Sequence, residues 1–192
     1  MAFKPPRKLA PEELYTYAVG LLGRRDYSKA EMRTKLLGRS IEPSGAEQAM
    51  ARLLEFAFLD DRRFATSYAQ VRKESGGFGK GRILRDLAVK RVPSELAKEI
   101  AEQTYAGSDE EQLVANYLER KFRGKQLDVF LSEPKNLQSA YRRLRTAGFS
   151  SNVTIKVLKR YAAGAEGLEH MEADEVEMNE DSIPSRDHEG VG

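Results

Sequence analysis

The stretch FLDDRRFATSY, residues 58–68, lies in the first half of a chain of 192 residues. Two adjacent acids follow two apolar residues and precede a run of apolar and basic residues. A carboxylate at the start of a helix accepts hydrogen bonds from free backbone N–H groups and meets the positive end of the helix dipole. Asp60 or Asp61 is therefore predicted to cap a helix, because neighbours in sequence need not face a common catalytic pocket. The stretch is interpreted as a joint between structural units, formed by Phe58, Leu59, Asp60, Asp61, Arg63 and Phe64.

The residues before the joint have the spacing of helices. Leu14, Ala18 and Leu21 recur at i, i+4 and i+7, which is one face of a helix. Ser28 and Glu31 form a capping box, in which each side chain bonds a free N–H at the start of a second helix. The sequence PSGAE at 43–47 predicts a third helix start. Three short helices are thus expected before the joint.

The same rhythm is predicted after the joint. Phe64, Tyr68 and Val71 form a stripe at i, i+4 and i+7, and the glycine-rich run 75–81 is interpreted as a pliable link to the next helix. A third round is predicted to begin with a capping box at 108–111, with Leu113 in its apolar stripe. The rounds are 47–57 residues apart, which is typical of a modular array of small helical units.

The predicted fold class is therefore all-α, with three tandem three-helix repeats in an elongated, curved array. The predicted boundaries are a disordered N-terminus at 1–10, repeats at 11–59, 60–107 and 108–163, and a disordered acidic tail at 164–192.

The charge of the chain is divided sharply between its body and its end. Residues 1–163 hold 31 Lys or Arg and 20 Asp or Glu, a net charge of +11. Residues 164–192 hold one Arg and ten acids, a net charge of −9. A basic body indicates an acidic partner such as nucleic acid or a nucleoprotein, although a solvated helical surface gives the same count.

Composition argues against most enzyme chemistry. The chain has no Cys, and both His170 and His188 lie in the acidic tail, so a zinc site or a histidine base in the body is not expected. The run GGFGKG at 76–81 lacks the spacing of a phosphate-binding loop, and Gly81 stands where Ser or Thr would hold magnesium. No apolar run reaches the roughly 20 residues of a membrane span, and the N-terminus lacks the apolar core of a signal peptide. We predict a cytoplasmic, monomeric protein that is not an enzyme and has no cofactor.

A basic face is the predicted site for a partner protein or DNA. Two alternatives remain open: a stand-alone, non-specific DNA-binding protein built of helix-turn-helix-like modules, and an adaptor with apolar grooves for a peptide helix. The candidate residues are Arg24, Arg25, Arg33, Lys35, Lys80, Arg82, Arg85, Lys90, Arg91, Arg120, Lys121, Arg123, Arg142, Arg143 and Arg145.

Four stretches of the chain resemble the bacterial RecX regulatory proteins. The most specific are FAFLDDRRFATSY at 56–68 and GFGKGRILRDLAVKRV at 77–92. YSKAEMRTKLLGR at 27–39 is similar to the family's first-unit pattern, and YRRLRTAGFSSNVTIKVL at 141–158 resembles its third-unit pattern. The resemblance spans about residues 14–161 and is strongest in the middle.

The resemblance implies a regulator of the recombinase RecA. It implies three tandem three-helix units that bind in the helical groove of the RecA–DNA filament and bridge its protomers. The implied effects are reduced ATP hydrolysis and strand exchange and altered filament growth or disassembly, in recombination, DNA repair and the SOS response. DNA contact is implied through RecA or weakly and directly.

The chain departs from the family pattern at a few positions in these stretches. Ala57 stands where the family often has Gly, and Asp86 where it often has Glu. Arg91 and Val92 stand where Gly and Ile are common. The tail has no counterpart in the resemblance.

Overall fold

A computed structural model describes residues 7–162 together with residues 164, 165 and 168. Within these residues the secondary structure consists of short α-helices, joined by turns, and one isolated parallel bridge between Leu9 and Ser40. The helices are α1 (Pro11–Leu22), α2 (Lys29–Arg39), α3 (Pro43–Glu55), α4 (Asp61–Glu74), α5 (Lys80–Val89), α6 (Ser94–Tyr105), α7 (Glu110–Lys121), α8 (Leu127–Ser132), α9 (Pro134–Ala147) and α10 (Ser151–Leu158). The all-α prediction is confirmed.

The described residues divide into two compact units, one with helices α1 to α6 and one with helices α7 to α10, separated between Ser108 and Asp109. In the first unit, α1 and α2 pack on α3, and α4 and α5 pack on α6. The first three helices bury Leu14, Met32, Leu36 and Leu53 completely. A separate cluster around Ile83 and other apolar residues of α4–α6 forms the second core. The first unit thus contains two three-helix groups, each with its own core.

The second unit contains α7 to α10. Helix α10 packs on α7 and α9, while the six-residue α8 packs on α9. Leu118, Leu131, Leu144 and Leu158 are fully buried in this unit. Helix α8 lies between α7 and α9, and it contributes Leu131 to the core of this unit.

The apolar faces differ from the predicted stripes in two helices. Val71 is 56% exposed, and the buried face of α4 is instead Phe64, Ala65 and Ala69. In α7 the buried residues are Val114 and Leu118, whereas Leu113 is only half-buried. Both buried faces are shifted by about one residue from the predicted stripes, and in α4 the small side chains of Ala65 and Ala69 are the ones that face the core.

The starts of α7 and α5 differ from the predictions. The side chain of Asp109, not Ser108, caps α7, accepting from the backbone N–H groups of Glu111 and Gln112. Gly81 lies inside α5, so the glycine-rich link is shorter than the run 75–81.

Buried residues also occur in the described parts of the two predicted terminal segments. Leu9 is only 8% exposed, since its backbone pairs with that of Arg39 and Ile41. Ala165 and Leu168 are also buried. The predicted disorder at 1–10 and 164–192 falls otherwise on residues outside those the structure describes, except for Arg7, Lys8, Ala10 and Gly164.

Candidate partner-binding surface and the joint between the first two repeats

The acids of the opening stretch cap two different helices. Asp60 Oδ1 accepts from the backbone N–H of Arg62 at 2.8 Å and of Arg63 at 3.1 Å, at the start of α4. The Arg63 backbone hydrogen bond is the main cause that lowers the pKa of Asp60. Asp61 Oδ1 accepts instead from the backbone N–H of Lys29 at 2.8 Å, at the start of α2. The joint prediction left the choice of cap open; Asp60 caps the helix that follows it, and Asp61 reaches the preceding repeat.

The start of α2 is held by a second contact from the following repeat. The hydroxyl of Ser28 donates to the backbone carbonyl of Lys90 at 2.6 Å and accepts from the Glu31 N–H at 3.1 Å. The predicted capping box is confirmed. Ser28 is fully buried, so its hydroxyl has both a donor and an acceptor role satisfied within the protein.

Glu31 connects the same two repeats by charge. Its Oε1 lies 2.9 Å from Lys90 Nζ and 3.4 Å from a guanidinium nitrogen of Arg25. Burial by itself would raise the pKa of Glu31, but the hydrogen bonds from Lys90 and Arg25 outweigh it and hold the pKa below its ordinary value. Apolar spacing gave no sign of this link; the capping box identified Glu31 but not its long-range partner.

Arg63 closes the turn that carries the joint. Its guanidinium donates to the backbone carbonyls of Ala57 and Phe58, both at 3.2 Å. Leu59 is 4% exposed and Phe64 is 7% exposed, as expected of joint residues, whereas Phe58 is 42% exposed. The turn therefore anchors on Leu59 and Phe64, with Phe58 at the surface.

Two residues near the joint have left-handed backbones without being glycine. Ala57 has φ 53° and Arg91 has φ 55°. These are two of the positions where the family resemblance has glycine. Arg91 also donates to Thr34 Oγ1 at 3.3 Å, across the two repeats. The departure from glycine at Arg91 thus adds a contact while straining the backbone.

Most candidate cations of the first unit already have acidic partners. Arg33 pairs with Glu47 at 2.7 Å, Arg82 pairs with Asp86 at 2.8 Å, and Lys80 pairs with Glu102. Arg25 and Lys90 share Glu31, and Arg85 interacts with other residues of the chain. Within the described residues, Arg24 and Lys35 are exposed and form no ion pair.

The candidate cations of the second unit lie on α7, α9 and the turn after α7. Arg145 donates to the carbonyl of Phe149 at 2.7 Å, and Arg120 lies 5.9 Å from the centre of the Tyr117 ring. The other four are exposed and pair with no carboxylate of residues 7–162, namely Lys121, Arg123, Arg142 and Arg143.

The described residues show neither a cluster of three or more His, Cys, Asp or Glu able to hold a metal ion nor a helix long and apolar enough to cross a membrane. The residues that the structure does bring together are polar caps and ion pairs at a joint between helical repeats, with exposed cations on each unit. These features define a repeat protein whose surface is suited to binding a macromolecule.

Comparison with known proteins identifies the family. Residues 15–53 match the model of the first three-helix domain of RecX, and residues 60–100 match that of the second. The chain is 33% identical to regulatory protein RecX of Vibrio vulnificus over 136 residues, covering 69% of this chain and 82% of that protein. It is 35% identical to the RecX of Xanthomonas oryzae pv. oryzae strain MAFF 311018 over 145 residues, covering 75% and 85%. The chain belongs to the RecX family of regulatory proteins.

Solved structures support the fold. A crystal structure of regulatory protein RecX has a TM-score of 0.60 at 21% identity, covering 77% of this chain and 70% of that one. The crystal structure of RecX from Lactobacillus salivarius has a TM-score of 0.58 at 17% identity, covering 79% and 96%. At these identities the likeness concerns the fold alone.

Proposed function

We propose that this protein binds the RecA–DNA filament in its helical groove and modulates the recombinase, mainly by inhibiting ATP hydrolysis and strand exchange. It acts in the cytoplasm as a monomer, in recombination and DNA repair. It catalyses no reaction itself and needs no cofactor. Membership of the RecX family is the observation that carries this proposal.

The distribution of charge supports a polyanionic partner. Each compact unit carries exposed cations that no carboxylate of the described residues neutralises, represented by Lys35 in the first and Arg142 in the second. Unpaired surface cations attract a negatively charged filament over the distance that salt screening permits. Two linked units bind more tightly than either alone, because the second binds at a high effective concentration.

The organisation into repeats at 11–59, 60–107 and 108–163 belongs to the same proposal. Each repeat would present its own small surface to the filament, and the joint at Asp60 and Asp61 would fix the first two relative to each other. Several modest contacts then replace one deep pocket.

The direct test is RecA ATP hydrolysis on single-stranded DNA, measured as the full chain is added. We expect hydrolysis to fall as the chain approaches the concentration of filament binding sites. Unchanged hydrolysis and unchanged strand exchange at several-fold excess would contradict the proposal.

Binding to bare duplex across a range of salt concentrations tests the alternative. A weak interaction that disappears as salt rises is expected, since phosphate contacts release counterions. Tight binding to DNA without RecA would favour the stand-alone DNA-binding function instead.

A further inference from the structure

A cavity of about 400 Å³ lies between the turn after α1 and one side of α4, within the first compact unit. Arg25 and Asp26 line it from the first repeat, while Tyr68, Val71 and Lys90 line it from the second. The contacts that hold the two repeats together, from Ser28 and Glu31 to Lys90, lie beside it. The cavity is therefore formed by two repeats whose relative position is fixed.

One wall of the cavity is apolar and rigid. The rings of Phe64 and Tyr68 stack with centres 6.0 Å apart. The Tyr68 hydroxyl donates to Asp86 at 2.9 Å and accepts from Arg72 Nε at 3.0 Å, which fixes the orientation of its ring. Val71, one turn further along α4, is 56% exposed. An exposed valine beside ordered rings offers apolar surface that a partner side chain can cover.

The rim opposite this wall carries a cation whose ion pair is long. Arg25 lies over the Tyr27 ring at 3.7 Å and donates to the backbone carbonyl of Asp26 at 3.0 Å. Its nitrogens are 3.4 and 3.5 Å from the oxygens of Glu31. Those distances exceed the 2.7–2.9 Å of a strong charge-assisted hydrogen bond. A carboxylate brought to the rim can therefore bond Arg25 without breaking a short ion pair.

The charges around the cavity nearly cancel. Arg25 and Lys90 face the shared carboxylate of Glu31, and Asp26 lies at the same rim. A phosphate backbone, with its many negative charges, gains little at a rim whose net charge is close to zero. An apolar side chain with one neighbouring carboxylate matches both the wall and the rim.

We propose that this cavity binds a protein segment that inserts an apolar side chain against Val71 and Tyr68 and places an adjacent carboxylate on Arg25. The inference rests on the proposed function, because the segment would belong to the protein of the recombinase filament rather than to its DNA. The cavity would then supply recognition of protein, while the exposed cations supply attraction to negative charge.

The test compares Val71→Asp with Val89→Asp in the full chain, by titrating each fluorescently labelled variant with RecA filament on single-stranded DNA. Both valines are exposed, at 56% and 79%, and Val89 does not line the cavity. Thermal unfolding checks that both variants fold as the original chain does. We expect Val71→Asp to weaken filament binding at least tenfold and Val89→Asp to change it less than twofold. Equal effects of the two substitutions would overturn the proposal.

Two rim variants test the chemistry of the segment. Asp26→Asn is expected to strengthen filament binding several-fold, since it removes repulsion of the incoming carboxylate, and Arg25→Gln is expected to weaken it. Arg24→Gln is the control, because it also changes the charge by one. At the same salt concentration, neither rim variant is expected to alter binding to bare single-stranded DNA more than Arg24→Gln does. Changes confined to bare DNA would overturn the proposal and assign the cavity to nucleic acid.

The experiments give different results if the cavity proposal is wrong and if the proposed function is wrong. If the unaltered chain binds the filament and Val71→Asp binds equally well, the cavity proposal alone is wrong. If the unaltered chain does not bind the filament, both proposals are wrong.

Discussion

Asp61 Oδ1 accepts a hydrogen bond at 2.8 Å from the backbone N–H of Lys29, 32 positions earlier in the chain. The acid at the first turn of α4 thus satisfies a free N–H at the start of α2. Its neighbour Asp60 caps α4 itself. The two adjacent acids therefore accept from free N–H groups at the starts of two helices in different repeats, and at α2 Asp61 adds to the cap that Ser28 provides.

Replacement of either acid is expected to loosen a different helix. Asp60→Ala should lower the free energy of unfolding by about 1 kcal/mol, the usual effect of losing an N-cap. Hydrogen exchange should then accelerate at the amides of Arg62 and Arg63. Asp61→Ala should accelerate exchange at Lys29 instead. Each variant is the control for the other, and the same exchange pattern in both would contradict the division of roles.

Glu31 is expected to make the joint between the repeats sensitive to acid. The pKa of Glu31 is lower in the folded protein than in the unfolded chain. The stability that Glu31 contributes is therefore fully present when the pH is above the pKa of Glu31 in the unfolded chain. That contribution is lost as the pH falls through the lowered pKa, because protonation removes the bonds to Lys90 and Arg25. Urea unfolding of the full chain at several pH values measures this loss of stability. The pH values should run from about 3 to 7, which includes the range over which carboxylates titrate.

The matched variant is Glu31→Gln, which retains the shape of the side chain without its charge. Its stability should fall less steeply than that of the original chain as the solution is acidified. Identical slopes for the two proteins would show that Glu31 does not couple the repeats by charge.

Gly76 is expected to tolerate no side chain. A Cβ there would lie 2.3 Å from the Phe78 ring and 2.6 Å from the carbonyl of Arg72. The carbonyl of Arg72 cannot move away, because it belongs to the backbone of α4 and accepts hydrogen bonds from the N–H groups of Gly76 and Phe78. Gly76→Ala should therefore destabilise the chain by roughly 1–3 kcal/mol, as overpacking does.

Gly20 is the control for that substitution. It lies within α1, and a Cβ there meets nothing within 4 Å. Gly20→Ala should stabilise the chain by up to about 1 kcal/mol, since alanine favours the helix more than glycine does. Chemical denaturation of both variants distinguishes a steric effect at Gly76 from a general effect of replacing glycine.

Ala57 is expected to be improved by glycine. Its left-handed φ of 53° strains a residue with a Cβ by about 1–2 kcal/mol. Glycine removes that strain but adds about 0.5–1 kcal/mol of entropy to be lost on folding. Ala57→Gly should thus raise the free energy of unfolding by up to about 1 kcal/mol, and Gly148→Ala, at φ 93°, should lower it. Thermal unfolding of the two variants shows whether each is more or less stable than the original chain. A less stable Ala57→Gly variant would contradict the proposed backbone strain at Ala57.

Arg142 and Arg143 are expected to contribute to filament binding. Both are exposed on α9 and pair with no carboxylate of the described chain. The double variant Arg142→Gln, Arg143→Gln should weaken inhibition of RecA ATP hydrolysis about tenfold or more if each loses a charge contact of about 1 kcal/mol. Its fold should remain, since exposed charges contribute little to stability.

The comparison for this pair is Arg33→Gln, which removes a charge whose partner is already Glu47. For each charge removed, Arg33→Gln should reduce inhibition of RecA ATP hydrolysis less than the double variant at Arg142 and Arg143 does. Equal losses per charge would show that net charge, rather than contact at α9, determines binding.

Local signals in the sequence predicted the helices well. The capping box of Ser28 and Glu31 and the acids at the joint are short-range patterns, since a cap bonds to N–H groups two or three residues away. Their helices begin where those patterns indicate, at Lys29 and Asp61. The stripe with Val71 was wrong, because spacing alone cannot choose between faces that differ by one residue when small alanines flank it.

The candidate surface was predictable only as a set of charges. Arg33, Lys80 and Arg82 are basic in the sequence, yet their acidic partners lie on neighbouring turns or on other helices. Charge counting cannot separate such paired cations from Arg142 and Arg143, because pairing depends on distances of a few ångströms.

The sequence by itself determined the helical repeats, their caps and the family, since these depend on residues close together along the chain. Only the tertiary structure decided that Asp61 bonds Lys29, that Ser28 and Glu31 bond Lys90, and that a cavity lies beside them. These contacts join residues about 30 to 60 positions apart. Their existence follows from how helix cores pack, which no local spacing encodes.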